Sequence, residues 1–235
     1  MAVPATTGRL REKLFDMEIG DYIVWKYDNT ITGYIFGGST TGYTEISLTG
    51  NPLASMPLKY YWYAVKVNKG LLIADRVVSN TTTWDWLNSN KFVEGSPHII
   101  SGTSGVVRCP SGGVAYADAS GNKTFENKNK GCFPSNNEWD KYINNFPVGL
   151  IKKEKTINDV WNYDRGVQSW TKDTSINGIY TSSTGTKSAQ VNSTYRTIRG
   201  GDSLFSGVWG GFGIYPSNTS SVDCGYRPIF EYREV

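Results

Sequence analysis

Histidine is nearly missing from this 235-residue chain: His98 is its one copy. A Ser-His-Asp triad could draw only on that residue, and a metal site built from several imidazoles is excluded. Within residues 96–100 His98 reads as a strand or loop residue beside a buried apolar pair, Ile99 and Ile100. Cysteine is scarce as well. Cys109, Cys132 and Cys224 lie too far apart for CxxC or zinc-knuckle spacing. Their odd number argues against a complete disulfide framework and for small buried thiols made in a reducing compartment, with a Cys109–Cys132 bridge as the alternative. No run approaches the roughly 18 apolar residues of a membrane span. Residues 1–17 lack the apolar stretch of a signal peptide, so a soluble product of a cytoplasm is expected. Neither sign of charge dominates: 24 Lys+Arg against 21 Asp+Glu leave a net +3, which argues against a strongly basic nucleic-acid binder. The glycine pairs at Gly200–Gly201 and Gly210–Gly211 lack the strand–GxGxxG–helix setting of a nucleotide site.

Aromatic residues are what the chain has in quantity: 8 Trp, 15 Tyr and 9 Phe. Each buried ring removes about 150–250 Å² from water, so one large domain with a sizeable core is within reach. With only 19% charged residues the chain is not of the disordered type. Leu10, Leu14 and Met17 recur at i, i+4 and i+7 and predict a short amphipathic helix over residues 9–17. Residues 21–67 read as strands rich in β-branched and aromatic side chains. Asn68-Lys69-Gly70 separates two apolar runs and predicts a hairpin. Thr82 or Thr83 caps a short helix that carries Trp84 and Leu87 on one face. Ser135 to Glu138 has the spacing of a capping box, followed by Trp139, Tyr142, Ile143 and Phe146 as a core stripe in a helix over residues 134–146. Beyond residue 156 short strands recur every 8–12 residues or so, the rhythm of an antiparallel sheet.

That order resembles a C-type lectin-like fold, in the branch shared by formylglycine-generating-enzyme-like domains and the variable proteins of diversity-generating retroelements. Five stretches carry the resemblance: residues 72–86, a first strand running into a first helix; 137–143, a second helix; 158–163, with Trp161, similar to the family's Gly-Asn-Val-Trp-Glu-Trp loop; 195–202, similar to its Arg-Gly-Gly strand and turn; and 224–231, similar to its closing Gly-Phe-Arg-Pro strand. The resemblance spans about residues 60–235. It implies structural roles for Arg199, Gly200, Gly201, Arg227, Trp139 and Trp161: the glycines let the chain double back, and the arginines brace loops with fork-shaped donors. The whole layout resembles structural proteins of tailed phages and prophages of Gram-positive bacteria.

The resemblance does not bring its relatives' chemistry with it. The copper oxidase of that branch needs cysteines close together near the C-terminus, where only Cys224 stands, and the calcium motifs of sugar-binding C-type lectins are absent. Paired carboxylates, Asp159 with Asp164 or Glu138 with Asp140, leave a wall-glycan hydrolase as an alternative, which needs two acids roughly 5–9.5 Å apart in a cleft. The favoured alternative to an enzyme is a binding surface. Phe205, Trp209, Phe212 and Tyr215 sit among Gly and Ser, a paratope-like composition. Trp209 and Tyr215 are the leading ligand contacts, with Tyr195, Asp202, Asn218 and Tyr180 beside them, whereas Phe205 and Phe212 are expected to be buried.

The expectation is therefore a β-rich α+β protein. Residues 1–60 form a small β-rich attachment or assembly segment. Residues 61–235 form a C-type lectin-like domain with two short helices packed on antiparallel sheets. Its expected role is that of a non-enzymatic virion protein made in a bacterial host cytoplasm. It would act in the tail or baseplate as a receptor-binding module for a host surface glycan or protein, without metal or cofactor, nucleic acid or membrane insertion. Its partners would be other virion proteins, with a trimer as the first stoichiometry to test, and the host receptor. A capsid-decoration or baseplate architectural role is the first alternative.

Overall fold

Large apolar side chains at every position of a short run, rather than at every second one, make strands that are covered on both faces. Such runs organise the computed structural model, which describes residues 3–125, 131–176, 180–181, 187–188, 193–201 and 211–234. Its strands are β1 (Leu10–Arg11), β2 (Tyr22–Asp28), β3 (Gly33–Phe36), β4 (Thr44–Glu45), β5 (Asn51–Pro52), β6 (Lys59–Asn68), β7 (Leu71–Ala74), β8 (Ser79–Asn80), β9 (Ser96–Ile100), β10 (Thr103–Arg108), β11 (Ala115–Ala117), β12 (Lys123–Thr124), β13 (Cys132–Phe133), β14 (Gln168–Trp170), β15 (Tyr180–Thr181), β16 (Lys187–Ser188), β17 (Tyr195–Gly200), β18 (Phe212–Pro216), β19 (Cys224–Tyr226) and β20 (Ile229–Tyr232). Among the described residues the helices are short: α1 (Trp84–Ser89), a π-helix (Trp139–Asn144) and α2 (Ile157–Trp161), with single 3-10 turns elsewhere. The protein is β-rich with few helices, of the α+β class.

The largest sheet runs β1-β2-β6-β7-β20-β10-β9, with β3 also on β2 and β4 also on β6. It curls until β3 packs beside β9. There Ser101 Oγ accepts from the Phe36 amide at 2.9 Å and donates to the Phe36 carbonyl at 3.3 Å. Register stacks aromatics in rows on the inner face: Phe36 opposite Trp25 opposite Trp62, then Tyr34 opposite Tyr27 opposite Tyr60. The Trp25 and Trp62 rings lie 5.1 Å apart, and Phe230 meets Phe36 at 5.4 Å. Such cross-strand ring pairs are worth several tenths of a kcal/mol each, about 0.2–1. Alternate residues point the other way, so Val24, Tyr63, Val65, Ile73 and Ile229 pack on Trp139, Ile143, Phe146, Val160 and Trp161 from the helices.

A second sheet runs β18-β17-β14-β19-β8-β5. Trp170, Ile198 and Tyr226 on one face complete the inner core of the first sheet. Phe212 and Ile214 on the other face pack on Tyr116 and Cys132 of the small sheet β12-β11-β13.

Several local expectations are corrected. The helix over residues 9–17 is not formed: Leu10 and Arg11 pair in parallel with Tyr22 and Ile23, and only Leu14–Asp16 turns. The cause is Asp21, whose carboxylate accepts from the Arg9 amide and Arg11 Nε at 2.6 Å each and from the Glu18 amide at 2.9 Å. These bonds hold the stretch extended. Leu14 and Met17 are buried, but Leu10 is 47% exposed. The Ser135–Glu138 capping box does not form either. Arg108 draws Glu138 away at 2.6 and 2.7 Å, and Asn137 Oδ1 accepts from the Asp140 amide instead. A true capping box closes α2, where a loop was expected: Thr156 Oγ1 accepts from the Asp159 amide and the Asp159 carboxylate accepts from the Thr156 amide. All three cysteines are free and buried, with no Cys109–Cys132 bridge. His98 lies in β9 beside a buried Ile100, but Ile99 is 73% exposed. The boundary drawn at residue 60 falls inside β6, and strands from both sides of it share one sheet.

Helix α1 closes with a Schellman motif: the Phe92 amide donates to the Leu87 carbonyl and the Lys91 amide to the Asn88 carbonyl. Lys91 occupies the left-handed position, with φ 64°, where glycine has no steric cost. Lys91→Gly is expected to raise the unfolding free energy by about 0.5–1 kcal/mol, read as a higher urea midpoint at unchanged slope.

Candidate functional site

Strand β17 ends in Arg199-Gly200, with Gly201 just beyond it, and Arg199 is fully buried. Its Nη2 donates to Asp140 Oδ1 at 2.7 Å, its Nε to the Gly211 carbonyl at 2.8 Å and its Nη1 to the Gly112 carbonyl. Asp140, on the π-helix, also accepts from the Cys132 amide at 2.8 Å, Asn137 Nδ2 at 2.7 Å and Asn144 Nδ2 at 2.6 Å. Burial opposes ionisation of Asp140, but the Arg199 guanidinium and these donors outweigh it and hold the carboxyl below its ordinary value.

Two guanidiniums lie over the Trp139 ring, Arg199 5.7 Å and Arg227 5.5 Å from its centre. Arg227 is fully buried, donates to Ser169 Oγ at 3.1 Å and to the Ala74 carbonyl at 2.9 Å, and burial pulls its guanidinium down. Next to it Arg76 binds Asp75 through two bonds of 2.9 and 2.8 Å and reaches Glu45 at 3.0 Å. Trp161 packs in the same layer as Trp139, edge-on to Phe146. Gly200 and Gly201 both have positive φ, and any Cβ there would press on Trp139 and Gln168 respectively. Arg199, Arg227 and Gly200 thus gather about Trp139, with Trp161 in the same cluster, whereas Gly201 lies against Gln168.

The carboxylates considered as hydrolytic acids are engaged in structure. Burial opposes ionisation of Glu138, but Arg108 prevails and holds it low; Thr156 holds Asp159 low through its amide and hydroxyl. A general acid needs the opposite shift. Asp164 is exposed, its amide bonded to Asn158 Oδ1. Among the described residues no group of three or more His, Cys, Asp or Glu is placed to hold a metal ion.

The ligand candidates fall at two ends of β17. Tyr195 opens the strand opposite Pro216, and Tyr215 pairs with Arg196. Tyr195 is half-buried against the small sheet, and Tyr215 packs inward, 6.4 Å from the Trp170 ring. Asn218 is exposed in the turn beyond β18. Tyr180 lies in β15, paired with Ser188. Asp202, Phe205 and Trp209 lie outside the described residues. Their segment leaves β17 at Gly201 and enters β18 at Gly211, at the far end of the strand from Tyr195, about 17 Å along it. Phe212 is buried. Sequence reasoning passed over Trp86, which is exposed on α1; its sign was a tryptophan two positions from the inward Trp84, on a helix too short to bury both.

No known family, no curated protein and no solved structure matches the chain.

Removing one partner of a buried ion pair leaves the other charge uncompensated, at a cost of about 3–5 kcal/mol. Asp140→Asn is expected to cost that much in urea denaturation. The same pairs set the acid limb of stability. Glu138 and Asp140 are held below their ordinary values of 4.5 and 3.8, so their contribution is complete above those values and is lost as pH falls through the lower folded ones. Glu138→Gln should therefore lower stability at pH 7 and flatten its decline below about pH 4.5, checked by urea midpoints across pH.

Proposed function

We propose that this chain is a non-enzymatic binding module of a tailed-phage or prophage particle, built on a C-type lectin-like domain and presented in the tail or baseplate toward the host surface. One observation carries the reading. The Gly200 amide and Arg199 Nε both donate to the Gly211 carbonyl, so the two ends of the 202–210 segment are tied together by a buried arginine. A segment rich in Ser, Gly and aromatic residues whose flanking strands are tied into a double-sheet scaffold has the composition and the anchoring of a paratope. The lectin-like assignment is supported by the order of β7, α1, the π-helix and β14 to β20, and by the antiparallel pairing of β7 with β20, which brings the first and last strands of residues 71–232 together.

The test is adhesion. Fluorescently labelled chain should coat cells of the bacterium on which the particle grows, and Trp209→Ala should reduce that coating about tenfold with an unchanged urea midpoint. Tyr215 is a poor partner for this test because it packs against Trp170. Bare cells with the unmutated chain would overturn the proposal.

A further inference from the structure

We propose that Trp86 is the stacking platform of a saccharide site on α1, taking the apolar face of a neutral pyranose ring. The site is built from α1 and the turn after it and does not rest on the lectin-like reading.

Helix α1 presents its two tryptophans in opposite directions. Trp84 points inward: its Nε1 donates to the Thr171 carbonyl at 3.0 Å, and the Arg196 guanidinium lies 4.3 Å over its ring. Trp86 is 42% exposed. A lone exposed tryptophan is ordinarily free to rotate, but this one is backed by a column of rings. Phe92 lies parallel to it at 6.2 Å and 13°, and His98 lies parallel to Phe92 at 6.0 Å and 12°. Tyr34 meets His98 edge-on at 5.0 Å and belongs to the Tyr34–Tyr27–Tyr60 row of the curled sheet. The Schellman turn at Lys91 brings Phe92 back over the helix and under Trp86. The indole is thereby held in place before any ligand arrives, which lowers the ordering cost of binding.

The rim decides the ligand class. On a helix, positions i−3, i+3 and i+4 flank a side chain, and around Trp86 these are Thr83, Ser89 and Asn90. Each is fixed by a backbone bond: Thr83 Oγ1 accepts from the Trp86 amide at 3.0 Å, Ser89 Oγ donates to the Asp85 carbonyl at 2.9 Å, and Asn90 Nδ2 donates to the Trp86 carbonyl at 2.8 Å. Among the described residues no other exposed large apolar side chain lies within residues 83–92. A protein partner would need an apolar core around the tryptophan, and this rim supplies none. A flat C–H face over the indole with hydroxyls directed at hydroxyl and carboxamide groups matches it. The exposed charges of α1 and the turn after it, Asp85, Lys91 and Glu94, are mixed with one more acid than base, which favours a neutral sugar over a polyanion.

Titration of the full chain with cellotetraose, maltotetraose and chitotetraose, followed by tryptophan fluorescence, tests the site. At least one should bind saturably. Trp86→Ala should weaken that binding about tenfold or more, Trp86→Tyr should keep it within a few-fold, and Val148→Ala, at an exposed apolar residue outside α1, should leave it unchanged. Circular dichroism and urea midpoints of the three variants separate lost binding from lost folding. Failure of the unmutated chain to bind any of the three, or equal binding by folded Trp86→Ala, would overturn the proposal. Neither outcome bears on adhesion through the 202–210 segment.

Discussion

Arg199 can be buried only because Asp140 meets it, and that pair fixes the C-terminal half of the molecule. A guanidinium out of water is tolerated when geometry and further hydrogen bonds offset its desolvation. Here one arginine joins β17 to the π-helix through Asp140, to β18 through the Gly211 carbonyl and to the loop before β11 through Gly112. Asp140 in turn collects the Cys132 amide and so anchors the small sheet. The π-helix is part of the same constraint. The Asn145 amide donates to the Asp140 carbonyl five residues back, and the Asn145 side chain donates to it as well. This widened turn carries Trp139 and Asp140 inward at consecutive positions, one against two guanidiniums and the other onto one of them.

The low charge content of the chain follows from that plan. Many of its charges are spent inside. Arg76, Arg199 and Arg227 lie in one layer with Asp75, Glu45 and Asp140, and Arg108 holds both Glu138 and Glu231. Arg76 pairs there with Asp75 and Glu45 and Arg199 with Asp140, whereas Arg227 donates to Ser169 and the Ala74 carbonyl, and these bonds fix register between sheets and helices. Glu138 and Asp140, held low by Arg108 and Arg199, are poor candidates for a general acid, because their partners oppose the raised pKa it requires.

Legibility in the sequence followed the range of the forces involved. Runs such as residues 22–27, 60–67 and 71–74 are readable as strands because their richness in β-branched and aromatic residues is a local property. The Asn68-Lys69-Gly70 hairpin was readable for the same reason. The helix at 9–17 misled because its periodicity was genuine while Asp21, a residue beyond it, held the backbone extended. The capping box at Ser135 misled because Glu138 had a stronger partner 30 residues away in Arg108. The curl that brings β3 beside β9 rests on Ser101 bonding Phe36 across 65 residues, which no local pattern encodes. Arg199, Gly200, Gly201 and Arg227 stand out through the order of motifs that the chain shares with the lectin-like branch, and Trp139 through its helical stripe, whereas the pairing of Arg199 with Asp140 and Trp139 depends on contacts some 60 residues apart.

Aromatic abundance is a poor guide to binding in this protein because the fold consumes most of it. Trp25, Trp62, Trp139, Trp161 and Trp170 are all fully buried, and even Tyr195 and Tyr215 lean on the core. Phe15 and Phe125 are also exposed, so exposure alone does not single out Trp86; its stacking on Phe92 does. Trp86 is exposed although Trp84, two residues away, is not, and three further rings are aligned to support it. Core packing alone would favour turning the indole inward, since full burial of a large side chain is worth on the order of 2–3 kcal/mol. The column of Phe92, His98 and Tyr34 instead makes the outward position rigid, and rigidity of an exposed ring is a property that matters to a ligand rather than to the fold.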